Sequence, residues 1–106
     1  MALNRLLPNK KWKNWSVKMP KTIHIVVTAV GRDRPGLIAG LSSIVASMNG
    51  NIEDLDQVTM KNAIFIMSML VDFAQSEKSF KEIREPLVNR GKELGLMIEV
   101  YDVSLL

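Results

Sequence analysis

From residue 22 onward the chain switches between two hydrophobic patterns, and the switching predicts an architecture. Thr22–Val30 (TIHIVVTAV) carries β-branched and apolar residues at both parities, as a central strand covered on both faces requires. From Pro35 to Met48 the apolar positions Leu37, Leu41, Ile44, Val45 and Met48 recur at helical spacing, with Ile38 beside them. Pro35 suits a first helical turn, and Asn49-Gly50 supplies a left-handed stop. Asn51–Met60 reads as a more polar strand. Its inward residues Ile52 and Leu55 break two-residue alternation, which predicts a β-bulge. Lys61-Asn62 fits a two-residue hairpin turn into an antiparallel strand at Ala63–Phe73. A second helix is expected from about Ser76 to Leu94, with Phe80, Ile83, Leu87, Gly91 and Leu94 on one stripe and a bend at Pro86. Gly95 ends it, and Leu96–Ser104 is the last strand.

The order β-α-β-β-α-β predicts an α+β, ferredoxin-like fold: a four-stranded antiparallel sheet with two helices on one face. One consequence concerns the other face. Val26 and Val30 oppose Ile25, Val27 and Ala29, while Ile64, Ile66 and Leu70 oppose Phe65, Met67, Met69 and Val71. Helices can cover only one of these sets, so a monomer leaves an apolar patch in water, the mark of an interface. A homodimer or higher homo-oligomer is expected.

At 106 residues and 47% apolar content the chain is sized for one globular domain, here residues 22–106. The net charge of +3 comes from a basic N-terminal extension. Six of the 14 Lys/Arg lie in residues 1–21, which hold no acid, leaving eight against all eleven Asp/Glu in the body. The body is therefore mildly acidic, and nucleic acid is not an expected partner. In the extension Trp12 and Trp15 lie among lysines, a composition shared by arms for acidic partners and by membrane-interface anchors. Pro8 and Pro20 interrupt any continuous helix, and a structural or incidental extension is expected; Met19, just before the first strand, is an alternative start. No run approaches the length of a membrane span, no signal-peptide core is present, and no membrane partner is expected. The absence of cysteine excludes disulfides, thiolate metal sites and a cysteine nucleophile, and a cytoplasmic location is expected.

Catalytic chemistry is hard to place. The one histidine, His24, falls inside the first strand, where a packed or edge role is expected rather than that of a base. No His/Cys/Asp/Glu group has metal-ligand spacing, and no metal or other cofactor is expected. Glu53, Asp54 and Asp56 are close, but alternation sends Glu53 away from the other two, so they read as a solvated strand face. The seven methionines, including Met67 and Met69, suit core filling. Gly31 and Gly36 have phosphate-loop spacing, yet Leu37-Ile38 stands where Lys and Ser/Thr are required. The sheet also lacks the exposed aromatic pair of RNA-recognition domains. An enzyme is not expected, for want of a nucleophile–base pair.

The most informative segment is the corner Gly31-Arg32-Asp33-Arg34-Pro35-Gly36, where a strand breaks into a loop and a helix opens. Such a corner leaves backbone N–H groups pointing outward, a suitable place for a carboxylate. An alternative is purely structural: Asp33 caps the helix, worth on the order of 1 kcal/mol, and the glycines serve the turn. Gly31-x-Asp33-Arg34-Pro35-Gly36-Leu37-x-Ala39, followed by Ile44-x-x-x-Met48-Asn49-Gly50-Asn51-Ile52, resembles the ACT domain family, the small-molecule-sensing modules of amino-acid metabolism. The resemblance spans residues 22–106. It is closest to stand-alone ACT proteins and to the ACT halves of the glycine-cleavage repressor and formyltetrahydrofolate deformylase.

The resemblance implies a regulatory, non-enzymatic module with an amino-acid ligand at a dimer interface. One subunit would contribute Gly31, Arg32, Asp33, Arg34, Pro35 and Gly36, and the other Asn51 and Ile52. N–H groups at Gly36 and Leu37 suit a carboxylate, and Asp33 with the Asn51 amide suits an ammonium. Gly31 at the first loop position and Asp33 in place of an amide depart from serine-binding members, which leaves the amino acid unidentified. With no effector domain in the chain, the signal implies a separate protein partner. A ligand-free interaction module, acting through the sheet face or the basic arm, is the alternative.

Overall fold

The computed structural model describes residues 23–74 and 76–106. The expected basic extension, residues 1–21, and Thr22 lie outside the described residues. The elements are β1 (His24–Arg32), α1 (Leu37–Ser47), β2 (Asn51–Met60), β3 (Ile64–Asp72), α2 (Phe80–Leu94) and β4 (Leu96–Asp102). The sheet has the order β2-β3-β1-β4 with every neighbouring pair antiparallel, which is the ferredoxin-like arrangement. β1 and β3 are interior, as their two-faced apolar pattern requires.

The core lies between the sheet and the two helices. Ile25, Val27 and Ala29 from β1, Phe65, Met67, Met69 and Val71 from β3, and Leu96, Ile98 and Val100 from β4 all point into it. Leu37, Leu41 and Val45 of α1 and Ile83 and Leu87 of α2 close it from the other side. Among the described residues the buried set contains no polar or charged side chain. Inside the layer the contacts are apolar, and the polar links between elements, such as Arg90 Nε donating to the Gly40 carbonyl at 3.4 Å, lie at its margin. No helix of the described residues is long and apolar enough to cross a membrane.

The expected bulge is present: the β2·β3 register shifts between Ile52 and Asp54, so Ile52 and Leu55 both face the core. In the β2–β3 hairpin Lys61 and Asn62 have φ of 51° and 56°, both left-handed, and the Ala63 N–H donates to the Met60 carbonyl at 3.0 Å. The strands pair at Met60 and Ile64, so three residues connect them rather than the expected two. Several boundaries differ from expectation, β3 among them, which runs Ile64–Asp72 rather than Ala63–Phe73. β1 runs on to Arg32 because Gly31 pairs with both Phe65 and Leu96. α1 begins at Leu37, not Pro35, because Gly36 at its N-cap has φ 87° and cannot belong to a right-handed helix. α2 begins at Phe80, not Ser76: Ser79 and Glu82 form a reciprocal capping box, the Ser79 hydroxyl accepting from Glu82 N–H and the Glu82 carboxylate from Ser79 N–H. β4 ends at Asp102, whose carboxylate accepts from the Ser104 N–H and opens a single 3₁₀ turn, Val103–Leu105.

Candidate functional site

The corner between β1 and α1 is an exposed projection. Arg32, Asp33, Arg34, Pro35 and Gly36 are all exposed, whereas Leu37 is buried beneath them. The first bond of α1 runs from the Gly40 N–H to the Gly36 carbonyl at 2.9 Å, and no side chain caps the terminus. Asp33 is therefore not the helix cap. Its backbone N–H instead donates to the Ala63 carbonyl at 2.8 Å, tying the loop to the β2–β3 hairpin, and its carboxylate is left exposed. Arg34 reaches the other way, its guanidinium Nη2 donating to the Glu93 carbonyl near the end of α2 at 3.3 Å. There the cation meets the negative end of a helix.

The two glycines serve different needs. Gly36 supplies the left-handed backbone that aims the α1 N-terminus outward. Gly31 lies within β1, half-buried, and a Cβ there would meet the Gly95 carbonyl at 2.6 Å. It is a packing glycine at the foot of the loop rather than part of the loop itself.

Asn51 and Ile52 sit at the opposite end of the sheet. Arg32 pairs with Ile64 and Asn51 pairs with Asp72, eight residues apart along β3, which is about 26 Å in an extended strand. One protomer therefore does not bring the corner and Asn51 together. Asn51 is exposed, while Ile52 packs against the core and offers a ligand its backbone more than its side chain.

The sheet face away from the helices is banded. Val58, Ile66, Val30 and Met97 stand opposite one another across all four strands, an apolar row with Met60 and Ile64 next to it. Within it Met97 is 79% exposed. The next row is polar: Asp56, Ser68, Thr28 and Glu99. At the far end, beside Asn51, His24 faces two acids. Its Nε2 is 3.0 Å from Glu53 Oε1 and 3.8 Å from Asp72 Oδ1. Two expectations are corrected here. The bulge keeps Glu53 on the same face as Asp54 and Asp56, because the extra residue cancels one step of alternation. His24 is neither an edge nor a core histidine: it is half-exposed on an interior strand and paired with carboxylates. Sequence spacing gave no sign of this group, which three strands bring together.

The ACT domain family model matches residues 23–101. The chain belongs to the ACT domain family. A relative from Methanopyrus kandleri, named a UPF0237 protein, is 45% identical over 75 residues, covering 71% of this chain and 82% of that one. Among solved structures, an ACT domain protein from Streptococcus pneumoniae superposes with a TM-score of 0.71 at 25% identity, covering 80% of this chain and 94% of its own. A formyltetrahydrofolate deformylase from Burkholderia mallei superposes with a TM-score of 0.69 at 12% identity, over 77% of this chain and 29% of the enzyme, a likeness of fold alone. The family match to this ACT chain thus runs from β1 into β4, a stretch holding both the corner and Asn51.

Proposed function

We propose that this ACT chain is a non-enzymatic regulatory module that acts as a homodimer and takes an amino acid or a similar small metabolite at the subunit interface. The observation that carries this reading is the uncapped N-terminus of α1, presented outward by Gly36 behind the exposed Asp33 carboxylate. The N–H groups at Gly36 and Leu37 suit the ligand carboxylate, and Asp33 suits its ammonium group. Asn51 is about 26 Å away in its own protomer, so it serves this pocket only from a second subunit. A ligand bridging two subunits stabilises one relative orientation over others, and a separate protein partner can read that difference.

A thermal-shift screen of the full chain against amino acids, folates and nucleotides tests the proposal. A true ligand at about 100 times its Kd adds about 2.7 kcal/mol of stability. Asp33→Ala and Asn51→Ala are each expected to abolish the shift while leaving the circular dichroism spectrum unchanged. A flat screen would overturn the ligand reading. The apolar row Val58–Ile66–Val30–Met97 then favours the second one, a ligand-free module that binds protein through its open sheet face.

A further inference from the structure

His24 from β1, Glu53 from β2 and Asp72 from β3 each turn one donor atom toward a common point, the three atoms lying within 4.8 Å of one another. Two of the separations are 3.0 and 3.8 Å. Ligand atoms bound about 2.0–2.1 Å from a tetrahedral metal are about 3.3 Å apart, so the donors already stand near the spacing of a coordination shell. We propose that these side chains form a three-ligand site for a divalent transition-metal ion, with zinc the best-fitting occupant and an outward fourth position for water or an exogenous ligand.

Three features carry the proposal beyond a chance meeting of charges. Imidazole joined to two carboxylates is a donor set for borderline divalent ions, not for calcium or magnesium, which take oxygen ligands. Asp72 is held in place, its Oδ1, the oxygen nearest His24, also accepting the Ala74 N–H at 2.8 Å, a secondary bond of the kind that orients a metal ligand. Glu53 is the surplus residue of the bulge, and bulges serve to re-aim a side chain where regular pairing would not. The side chains of His24, Glu53 and Asp72 are 37%, 38% and 25% exposed, open enough for an ion to enter and sheltered enough to limit their motion. The site rests on these contacts alone. It stands whether or not the corner at Gly36 takes an amino acid.

The chain has one histidine and no cysteine, which makes the test clean. Untagged full-length protein is titrated with Zn²⁺ by calorimetry, and with Co²⁺ while its visible absorption is followed. The expected result is one equivalent bound per chain, with loss of the signal in His24→Gln. Glu53→Gln and Asp72→Asn are each expected to weaken binding by at least about tenfold. Asp54→Asn, on the same face but outside the group, should bind as the parent does. The imidazole resonances of His24 report the same event by NMR and should move only when metal is added. Absence of binding up to millimolar Zn²⁺ would overturn the proposal, and so would binding that persists in His24→Gln. If Asp72→Asn fails to fold, the exposed bulge variant Glu53→Gln still decides the matter.

Discussion

The two faces of this sheet are built from the same strands and obey different rules. Beneath the helices the core positions of β1, β3 and β4 are apolar, and the buried set contains no polar group among the described residues. Only outside that cover, at Gln57 and Thr59 of the edge strand β2, do polar residues share this side. On the open side the rows change character along the strands, from His24 and acids at one end to Val58, Ile66, Val30 and Met97 at the other. The covered core needs only volume and hydrophobicity, so its pattern is uniform. Banding on the open side is not needed to hold the sheet and helices together. The contrast teaches where to look for function: in the rows that folding leaves free to vary.

Two methionines offer the sharpest way to break this comparison. Met67 is 1% exposed beneath the helices and Met97 is 79% exposed on the open face. Met67→Ala is expected to destabilise the fold by about 2–5 kcal/mol, through lost burial and the cavity left behind. Urea denaturation measures it. An intermediate effect concerns how firmly α2 covers its side: Ser79→Ala removes the cap and should cost about 1 kcal/mol. Its pH dependence sharpens the assignment. The Ser79 backbone N–H, and then its hydroxyl, hold the Glu82 carboxyl below the ordinary glutamate range. A depressed folded pKa gives stability that is present above the unfolded value and lost as pH falls through the folded one. Ser79→Ala keeps the backbone N–H, so it is the gap between the parent and Glu82→Gln that should be full at neutral pH and narrow in acid, which denaturation midpoints across that range will show. The smallest effect belongs to Met97→Ala, expected within about 0.5 kcal/mol at protein concentrations where the chain is monomeric. A loss there as large as that of Met67→Ala, varying with protein concentration, would mean that the open face is covered in solution as tightly as the core.

Much of the fold was legible because local chemistry and tertiary packing agree. The bounds of β2, the Ile52–Leu55 bulge and the Lys61-Asn62 turn were all readable from residue types. The start of α2 was readable too, in the Ser79-Phe80-Lys81-Glu82 capping box, but apolar periodicity alone extends the helix too far toward the N-terminus. Gly36 in a left-handed N-cap was harder to foresee, since Pro35-Gly36 also suits a first helical turn. Of the candidate site, the exposed corner was visible in sequence, and the real partner of the Asp33 N–H, the Ala63 carbonyl, was not. His24, Glu53 and Asp72 were illegible for a simpler reason. They are 29 and 19 residues apart in sequence, and only the register of three strands brings them together.

The bulge at Glu53 has one more implication. Ile52 pairs with Val71 and Asp54 with Leu70, consecutive positions on β3, so Glu53 has no rung of its own in the ladder. A chain one residue shorter at this point would zip β2 to β3 without interruption and still send Ile52 and Leu55 inward. Glu53 is the one residue of β2 that the sheet can do without, and the carboxylate facing His24 is carried entirely by that surplus.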